Sequence, residues 1–438
     1  MRHQPLIRLV LATGLLVGFG GVLKAAEAGP SPRPHVLFIL SDDQAWGDYG
    51  FMGHSEIETP ALDRLAAESL LFTRGYVTAP LCRPSLASIA TGLHPHRHGV
   101  TGNDPELPGV EKTWDVRAEP RYAAAFESID ARFAPSVALP ERLAELGYVS
   151  LQTGKWWEGS PVETAGFTEG MTEAEDRHGG EGLRIGREGL GPIKEFVERH
   201  TDDRPVFLWY APFLPHTPHN PPEALLEKYL PRAPTEAVAR YWAMCEWFDQ
   251  TCGELLDYLD ARLGPENLLV VYACDNGWVQ LPEEAQRYAP RSKRSPYENG
   301  VRTPIMVRWT GQIEPRRDAV HPVSTIDLVP TVLAALGRAV PEDLPGIDLT
   351  DPVAVAERGP VHGAAYRHNI QELGNPAASL KTRYIVDGFW KLIDFHDPER
   401  PSLLFELSDD PGETLDLAAT YPDQVDRLEK KLDAWWRP

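Results

Sequence analysis

Cysteine is scarce in this sequence, with four among 438 residues. Four cysteines in an exported chain could form two disulfides, but their spacing argues against a disulfide scaffold. Cys245 and Cys252 lie in a helical pattern that separates them by about 10 Å along the helix axis, too far for a bridge. A chain of this length with 42% hydrophobic residues must therefore rely on a buried apolar core.

Basic residues are also under-represented. The chain has 43 Lys and Arg against 64 Asp and Glu, which gives a formal charge of −21. A surface of this sign repels nucleic acid and other polyanions at long range, so we expect no nucleic-acid partner. An anionic substrate would need local cations or a metal ion at its binding site.

Long hydrophobic runs are missing except at the N-terminus. Residues 9–23 ("LVLATGLLVGFGGVL") follow Arg2 and Arg8 and precede an Ala-x-Ala pattern that ends at Ala28. This layout is typical of a secretory signal peptide, here residues 1–28, and the run is short for a membrane span, although an uncleaved anchor is the alternative. We expect an exported protein, periplasmic or secreted, with no stable membrane association after cleavage.

Buried strands alternate with helices through most of the chain. Continuous apolar runs such as 35–40 ("HVLFIL") and 205–213 ("PVFLWYAPF") are typical of strands buried on both faces of a parallel sheet. Helical patterns lie between such runs, the longest near 234–263. The sequence therefore predicts an α/β fold over residues 29–340, with a large, mostly parallel mixed sheet flanked by helices.

The pattern changes near residue 340 to short polar strands and one last helix. Val425, Leu428, Leu432 and Trp435 recur at helical spacing and form one apolar stripe. We predict a small C-terminal α+β subdomain over residues 341–438.

Two further expectations concern local structure. Thr59 and Pro60 suit the start of a helix that we expect to run through Leu70. The segments 101–137 and 158–192 are rich in glycine and charge, which favours long loops that complete a substrate pocket.

Acidic side chains follow two predicted strands directly. Asp42 and Asp43 end the first strand, and Asp275 with Asn276 ends the strand near 267–274. Ligands of open α/β sheets bind beyond the carboxyl ends of strands, so we expect both pairs in one crevice. Carboxylate and amide oxygens suit Ca²⁺, or less favourably Mg²⁺, rather than Zn²⁺. The alternative is that these residues merely cap turns.

Cys82 follows another strand-like run and precedes Pro84, which suits the first position of a helix. A thiol just ahead of a helix N-terminus is expected to have a lowered pKa. Cys82 is therefore a candidate nucleophile, metal ligand or precursor of a modified residue, with a buried structural cysteine as the alternative.

The candidate cations are Lys155, His216, Lys293 and Arg294, which lie in loops or directly after predicted strands. Together with a metal ion they would bind a tetrahedral oxyanion and stabilise developing charge. The run "HPHRHG" also carries His94, His96 and His98, which raises the alternative of a zinc site. Alternating residues in a proline-containing turn rarely converge, so we favour the site with oxygen ligands.

Seven motifs occur in an order that resembles the formylglycine-dependent sulfatases of the alkaline phosphatase superfamily: "SDDQAWGDYG", "CRPSLASIATG", "TGKWWEG", "PHTPH", "CDNG", "KRSPYENGVRTP" and "FELSDDPGETLDLA". The similarity covers nearly the whole chain after residue 28. It implies the alkaline phosphatase-like fold, and a sulfatase of the arylsulfatase type that hydrolyses sulfate esters, here of a sulfated small molecule or glycan.

The resemblance also implies roles for the candidate residues. Cys82 would be oxidised to formylglycine by a formylglycine-generating enzyme, and its hydrated aldehyde would supply the nucleophilic oxygen. Asp42, Asp43, Asp275 and Asn276, together with position 82, would hold Ca²⁺. Lys155, His216 and Lys293, with Arg294 as a further candidate, would bind the sulfate and help the leaving alcohol depart.

Two positions depart from the family pattern. Leu86 occupies the place of an arginine that guides conversion of the cysteine, and Trp157 occupies the place of a histidine that deprotonates the diol. Two alternatives therefore stay open. One is a phosphate or phosphonate ester hydrolase that uses unmodified Cys82 or metal-bound water, and the other is a catalytically idle protein that binds sulfated glycans.

Overall fold

The computed structural model describes Met1, residues 33–109 and residues 120–438. The predicted signal peptide, residues 1–28, lies almost wholly outside the described residues, so it stays a prediction. No helix in the described part of the chain is long and apolar enough to span a membrane.

A nine-stranded sheet forms the centre of the structure. Its strands are β1 His35–Ser41, β2 Leu70–Tyr76, β4 Val149–Gly154, β5 Glu169–Gly170, β6 Val206–Ala211, β7 Leu268–Cys274, β8 Arg302–Arg308, β9 Arg316–Asp318 and β10 Val323–Ser324. Their order is β10-β2-β8-β7-β1-β6-β4-β5, with β9 also paired to β2. Only β8 runs antiparallel to its neighbours, β2 and β7. The predicted mostly parallel mixed sheet is confirmed.

Two smaller sheets complete the strands. The first pairs β3 Asp104–Pro105 with β12 Asn369–Ile370 in parallel. The second is antiparallel, in the order β11-β13-β14-β15, with strands β11 Val361–Tyr366, β13 Leu380–Asp387, β14 Trp390–Phe395 and β15 Leu403–Glu406.

Helices cover both faces of the large sheet, and the last helix packs on the small antiparallel sheet. They are α1 Pro60–Ala67, α2 Cys82–Thr91, α3 Pro95–His98, α4 Pro120–Phe133, α5 Leu139–Ala144, α6 Pro161–Ala165, α7 Gly191–His200, α8 Glu223–Tyr229, α9 Glu236–Leu263, α10 Glu298–Val301, α11 Leu328–Ala335, α12 Pro352–Ala356 and α13 Pro422–Trp435.

The central strand β1 shows why its sequence has no polar alternation. Val36, Phe38 and Leu40 pack into one apolar cluster with α2 and α4, while Leu37 and Ile39 pack into the other with α9. Successive side chains of a strand point to opposite faces, so a strand covered by helices on both sides needs apolar residues throughout.

The C-terminal helix packs as its stripe predicts. Leu428 and Leu432 are fully buried against Ile385, Leu392 and Leu404 of the small antiparallel sheet. Each buried leucine contributes about 1.5–3 kcal/mol to folding.

Three expectations about local structure are wrong. The helix that begins at Pro60 ends at Ala67 rather than Leu70, because Leu70 already pairs with Val307 in the sheet. The segment 101–137 is not all loop, since α4 occupies its second half. The predicted loop 158–192 contains α6 and a 3₁₀ turn over Gly180–Arg184.

Candidate active site at the strand ends

The candidate residues leave the large sheet at one edge. Asp42 follows β1, Lys155 follows β4, and Asp275 follows β7 directly, while His216 lies five residues beyond the end of β6. These four parallel strands are neighbours in the sheet, so their carboxyl ends present the side chains together.

Gly154 makes the turn at the end of β4 possible. Its φ is +81°, and an added Cβ would overlap the carbonyl oxygen of Ala211. This close approach lets the backbone N–H of Lys155 donate to the same carbonyl at 2.7 Å. Glycine therefore fixes where the Lys155 side chain enters the site.

Asp43 lies at the centre of the acidic cluster and is completely buried. Its backbone N–H donates to Asp275 Oδ1 at 3.1 Å, and its Oδ1 accepts from Asn276 Nδ2 at 2.6 Å. Its φ of +64° is unusual for a residue other than glycine and costs of order 1 kcal/mol. The two acidic pairs that the sequence places after separate strands thus meet in one cluster.

Three buried oxygens of this cluster have no hydrogen-bond partner among the described residues: Asp42 Oδ2, Asp275 Oδ2 and Asn276 Oδ1. Burial, opposed by Lys155 and reinforced by the neighbouring carboxylates, raises the pKa of Asp42 well above its ordinary value. Unpartnered buried oxygens on hard ligands are what a divalent cation would satisfy, so the donor set fits Ca²⁺.

Ligand atoms of Asp42, Asp43, Cys82 and His216 lie within 4.8 Å of one another. His216 Nε2 is 3.4 Å from Asp43 Oδ2, while its Nδ1 lies 2.6 Å from the carbonyl oxygen of Thr217. A proton on Nδ1 would donate to that carbonyl and leave Nε2 as an acceptor that faces the acidic cluster. Burial and the charges of Lys155 and Lys293 lower the pKa of His216 well below its ordinary value.

Two buried lysines balance the carboxylates. Lys155 Nζ donates to Asp42 Oδ1 at 2.7 Å, and Lys293 Nζ donates to Asp43 Oδ2 at 2.7 Å and to Cys82 Sγ at 3.2 Å. Burial alone would lower the pKa of Lys155, but the combined attraction of Asp42, Cys82 and Asp275 outweighs burial and the pKa rises. Both ammonium groups stay charged at neutral pH beside the cysteine sulfur.

Cys82 differs from its predicted environment in two respects. Helix α2 begins at Cys82 itself, with Leu81 as its N-cap, rather than at Pro84. Burial raises the pKa of the Cys82 thiol to about 12, although Lys155 and Lys293 oppose the rise. The prediction of a lowered pKa is wrong, because removal of the sulfur from water outweighs the partial charge at the helix end.

A cavity of about 750 Å³ opens onto Cys82. The predicted residues His216, Lys293 and Arg294 line it. Sequence reasoning missed other lining residues: Asn103, Arg177, His178, Tyr288 and His368. The first three lie within the segments that were expected to complete the pocket, but His368 comes from the distant β12 region and no local signal marks it.

The two positions that depart from the family pattern are buried. Leu86 is 4% exposed and lies one helical turn after Cys82 in the apolar cluster around α2. Trp157 lines the cavity, and its ring lies 4.8 Å from the Arg177 guanidinium carbon and 5.2 Å from the His178 ring. A histidine and an arginine thus flank the position where the resemblance leads one to expect a base.

The zinc alternative finds no support in the described structure. His98 Nε2 lies 3.0 Å from Ser88 Oγ, which holds it against α2. His94 and His96 stack on one another and pack against Trp435 of the C-terminal helix. In the described ranges, these three histidines do not form a group with metal-ligand spacing.

All four cysteines are free and buried, so the expectation that the chain has no disulfide scaffold agrees with the structure.

Comparison with known proteins gives consistent family matches. The family described as Sulfatase matches residues 34–338. The family described as N-sulphoglucosamine sulphohydrolase, C-terminal, matches residues 288–436.

Similar proteins extend over most of the chain. Human N-acetylgalactosamine-6-sulfatase is 27% identical, and the alignment covers 92% of this chain and 85% of that protein. A structure solved in complex with its substrate D-glucosamine-2-N,6-O-disulfate superposes with a TM-score of 0.70 at 19% identity and covers 92% of this chain and 97% of the other. The phosphonate monoester hydrolase of Agrobacterium radiobacter has a TM-score of 0.67 at 18% identity, with 92% and 95% coverage.

Proposed function

The chain belongs to the sulfatase family of sulfuric ester hydrolases, and from that premise we propose that it cleaves a sulfate ester of a carbohydrate. In this proposal Cys82 is converted to formylglycine, and Asp42, Asp43, Asp275 and Asn276 hold a Ca²⁺ ion. The protein would be exported, and a formylglycine-generating enzyme would act on it during biosynthesis.

The observation that carries the proposal is the contact of Lys293 with both halves of the site. Its ammonium group donates to Asp43 in the acidic cluster and to the sulfur of Cys82. The proposed metal ligands and the proposed nucleophile therefore lie within one side chain's reach. An anionic ester bound there would meet the two buried lysines, which compensate its charge.

When bound, the proposed cation would supply Lewis-acid polarisation and charge compensation at the sulfate. Lys155 and Lys293 would bind sulfate oxygens, since both are charged and buried at the acidic cluster. His216 Nε2 faces the same cluster and would hold or move a proton near the leaving oxygen. Arg294 would also bind the substrate, since it lines the cavity that opens onto Cys82.

Carbohydrate is the favoured substrate class for two reasons. The cavity of about 750 Å³ has room for a sugar and is lined by Trp157, Phe213 and Trp278, whose rings can pack on a sugar face. In addition, the human relative is named a sulfatase of N-acetylgalactosamine.

The mass of the peptide that contains Cys82 tests the proposal directly. We expect protein from a host with the modifying enzyme to show the mass of an aldehyde at position 82, while the peptide with Cys252 keeps a thiol. A thiol at both positions would support one of the two alternatives. Leu86 and Trp157 are the features that favour those alternatives. Hydrolysis of a phosphonate ester without hydrolysis of an aryl sulfate would indicate the ester hydrolase, and binding of a sulfated glycan without any hydrolysis would indicate the idle protein.

Removal of the metal should lower stability as well as activity. A ligand bound only by the folded state stabilises it by about 2.7 kcal/mol when present at 100 times its Kd. We expect a chelator to lower the Tm by several degrees and calcium to restore it. Differential scanning calorimetry measures this shift without any turnover.

A matched pair of variants ties the shift to the acidic cluster. Asp275→Asn removes one charged ligand and should abolish the response of the Tm to chelator, whereas Asp409→Asn, at an exposed position, should leave the response intact. A chelator response equal in both variants, or no response in the natural protein, would count against the calcium site.

A further inference from the structure

A second cavity of about 620 Å³ adjoins the cavity that opens onto Cys82. The two share Arg294 and His368 as lining residues. The remaining residues of the second cavity are Glu106, Arg367, Asn369, Gln371 and Lys381. We call this second cavity the basic groove. The two cavities therefore lie next to each other at Arg294 and His368, so a ligand in the catalytic cavity lies beside the basic groove.

The basic groove concentrates positive charge on a protein with a formal charge of −21. Arg294, Arg367 and Lys381 line it, and within the part of the chain that the structure describes none of the three forms an ion pair with a carboxylate. Burial and the positive charges of Arg294, Arg367 and the nearby Arg400 lower the pKa of Lys381. Like charges held together without counter-charges repel one another and destabilise a fold. A bound anionic ligand would offset this repulsion.

The one carboxylate among the described residues that line the groove, that of Glu106, forms no ion pair with these three cations in the described structure. Glu106 Oε2 accepts from Asn369 Nδ2 at 2.7 Å. By contrast, Arg177 in the catalytic cavity is held by Asp104, with an Nη2 to Oδ2 distance of 2.5 Å. The structure thus pairs the arginine beside Trp157 and leaves the cations of the basic groove available.

Rigid elements position the groove relative to the catalytic site. Arg294 has a φ of +64°, its N–H donates to the carbonyl oxygen of Pro80 at 2.8 Å, and it follows Lys293 directly. The N–H of Asn103 donates to the carbonyl oxygen of His368, the second shared residue, at 2.8 Å. Backbone hydrogen bonds therefore hold both shared residues.

We propose that the basic groove binds a second anionic group of the same glycan, on a sugar next to the one that carries the sulfate to be cleaved. The group is a sulfate ester or a carboxylate, since arginine and lysine bind the oxygens of either. This inference rests on the proposed sulfatase function and narrows its substrate to a polyanionic oligosaccharide.

The test compares substrates that differ only in the second anion. The double variant Arg367→Gln with Lys381→Gln is assayed on an aryl sulfate, a monosulfated disaccharide, a disaccharide sulfated on both sugars, and a monosulfated disaccharide with a neighbouring carboxylate. We expect kcat/KM to fall at least about tenfold on one or both of the doubly anionic substrates, mainly through KM. Singly charged substrates should keep kcat/KM within about twofold.

The control replaces cations outside both cavities. Arg338→Gln with Lys430→Gln makes the same change in net charge at exposed positions and should leave every kcat/KM ratio unchanged. If the groove variant loses rate equally on all four substrates, or on none, the second-anion site is wrong. The loss on the sulfated or the carboxylated disaccharide identifies which group the groove prefers.

Failure of the proposed function would be visible separately. A natural protein that does not turn over any sulfate ester would overturn the sulfatase proposal, and calorimetric Kd values for the same disaccharides would then test the groove alone. A Kd that weakens about tenfold in the groove variant only for doubly anionic ligands supports the groove. An equal Kd in variant and natural protein overturns it.

Discussion

Replacement of Cys82 by alanine should reduce hydrolysis of an aryl sulfate by at least about 10³-fold, because loss of a covalent nucleophile removes the reaction path rather than one contact. The fold should survive the change. Cys82 lies at the first position of α2, where alanine is a good helix former, and among the described residues its sulfur makes one hydrogen bond, with Lys293. Steady-state kinetics and a melting curve on the same preparation check both expectations.

A second buried cysteine supplies the control for this experiment. Cys252 is fully buried in α9 among apolar side chains on the other face of the sheet. Cys252→Ala should lose some stability through the cavity it creates but keep its turnover. Undiminished hydrolysis in Cys82→Ala would remove position 82 from the mechanism, whatever its mass spectrum shows.

Much of the site could be predicted from the sequence, because the end of a buried strand is marked by the change from apolar to polar residues. A run such as "HVLFIL" is apolar throughout, and the first polar residues after it must lie beyond the carboxyl end of the strand. Asp42 and Asp275 follow two such runs. The parallel topology then brings them together, and this juxtaposition needs no side-chain detail to predict.

Other features depend on long-range packing and were not predicted. Cys82 belongs to an apolar cluster that includes side chains from distant parts of the chain, so the direction of its pKa shift could not be obtained from the helix start alone. The basic groove brings together Arg294 and Lys381, which lie far apart in the sequence with strands β8 to β12 between them. No local pattern links such residues.

Helix α4 is a different case, since its signal was present in the sequence. Tyr122, Phe126, Ile129 and Phe133 recur at spacings of four, three and four residues, and all four are buried. The glycine-rich and charged residues around this stretch favoured a loop. The helical stripe is the stronger indicator, because only a packed helix explains four large apolar side chains at that period.

Replacement of Arg83 by methionine should strongly lower the free energy of unfolding. Arg83 follows Cys82, is completely buried, and donates to Glu158 Oε1 at 2.9 Å, to Glu158 Oε2 at 2.7 Å and to Asp130 Oδ1 at 2.7 Å. Loss of one partner from a buried ion pair costs about 3–5 kcal/mol, since it leaves carboxylates without a counter-charge. Chemical denaturation should show a correspondingly lower free energy of unfolding.

Arg184 provides a matched control, because it also pairs with two carboxylates, Glu181 and Glu188, but on the surface. Arg184→Met should leave the melting curve nearly unchanged, since water screens exposed pairs. Comparable losses in the two arginine variants would contradict the argument that burial makes the Arg83 pairs important.

The effect of Arg83→Met should also depend on pH in a defined direction. Burial raises the pKa of Asp130 to about 7 even though Arg83 opposes the rise, and removal of the arginine should raise it further. A carboxyl whose pKa is higher in the folded than in the unfolded state stabilises the fold at low pH and loses that contribution as pH rises. The difference in unfolding free energy between the natural protein and Arg83→Met should therefore be nearly constant between pH 5 and pH 6 and grow as the pH rises above about 7, because only there does Asp130 ionise in the natural protein while it stays protonated in the variant. A difference that shrinks over the same interval would mean that Asp130 is not the group left without its partner.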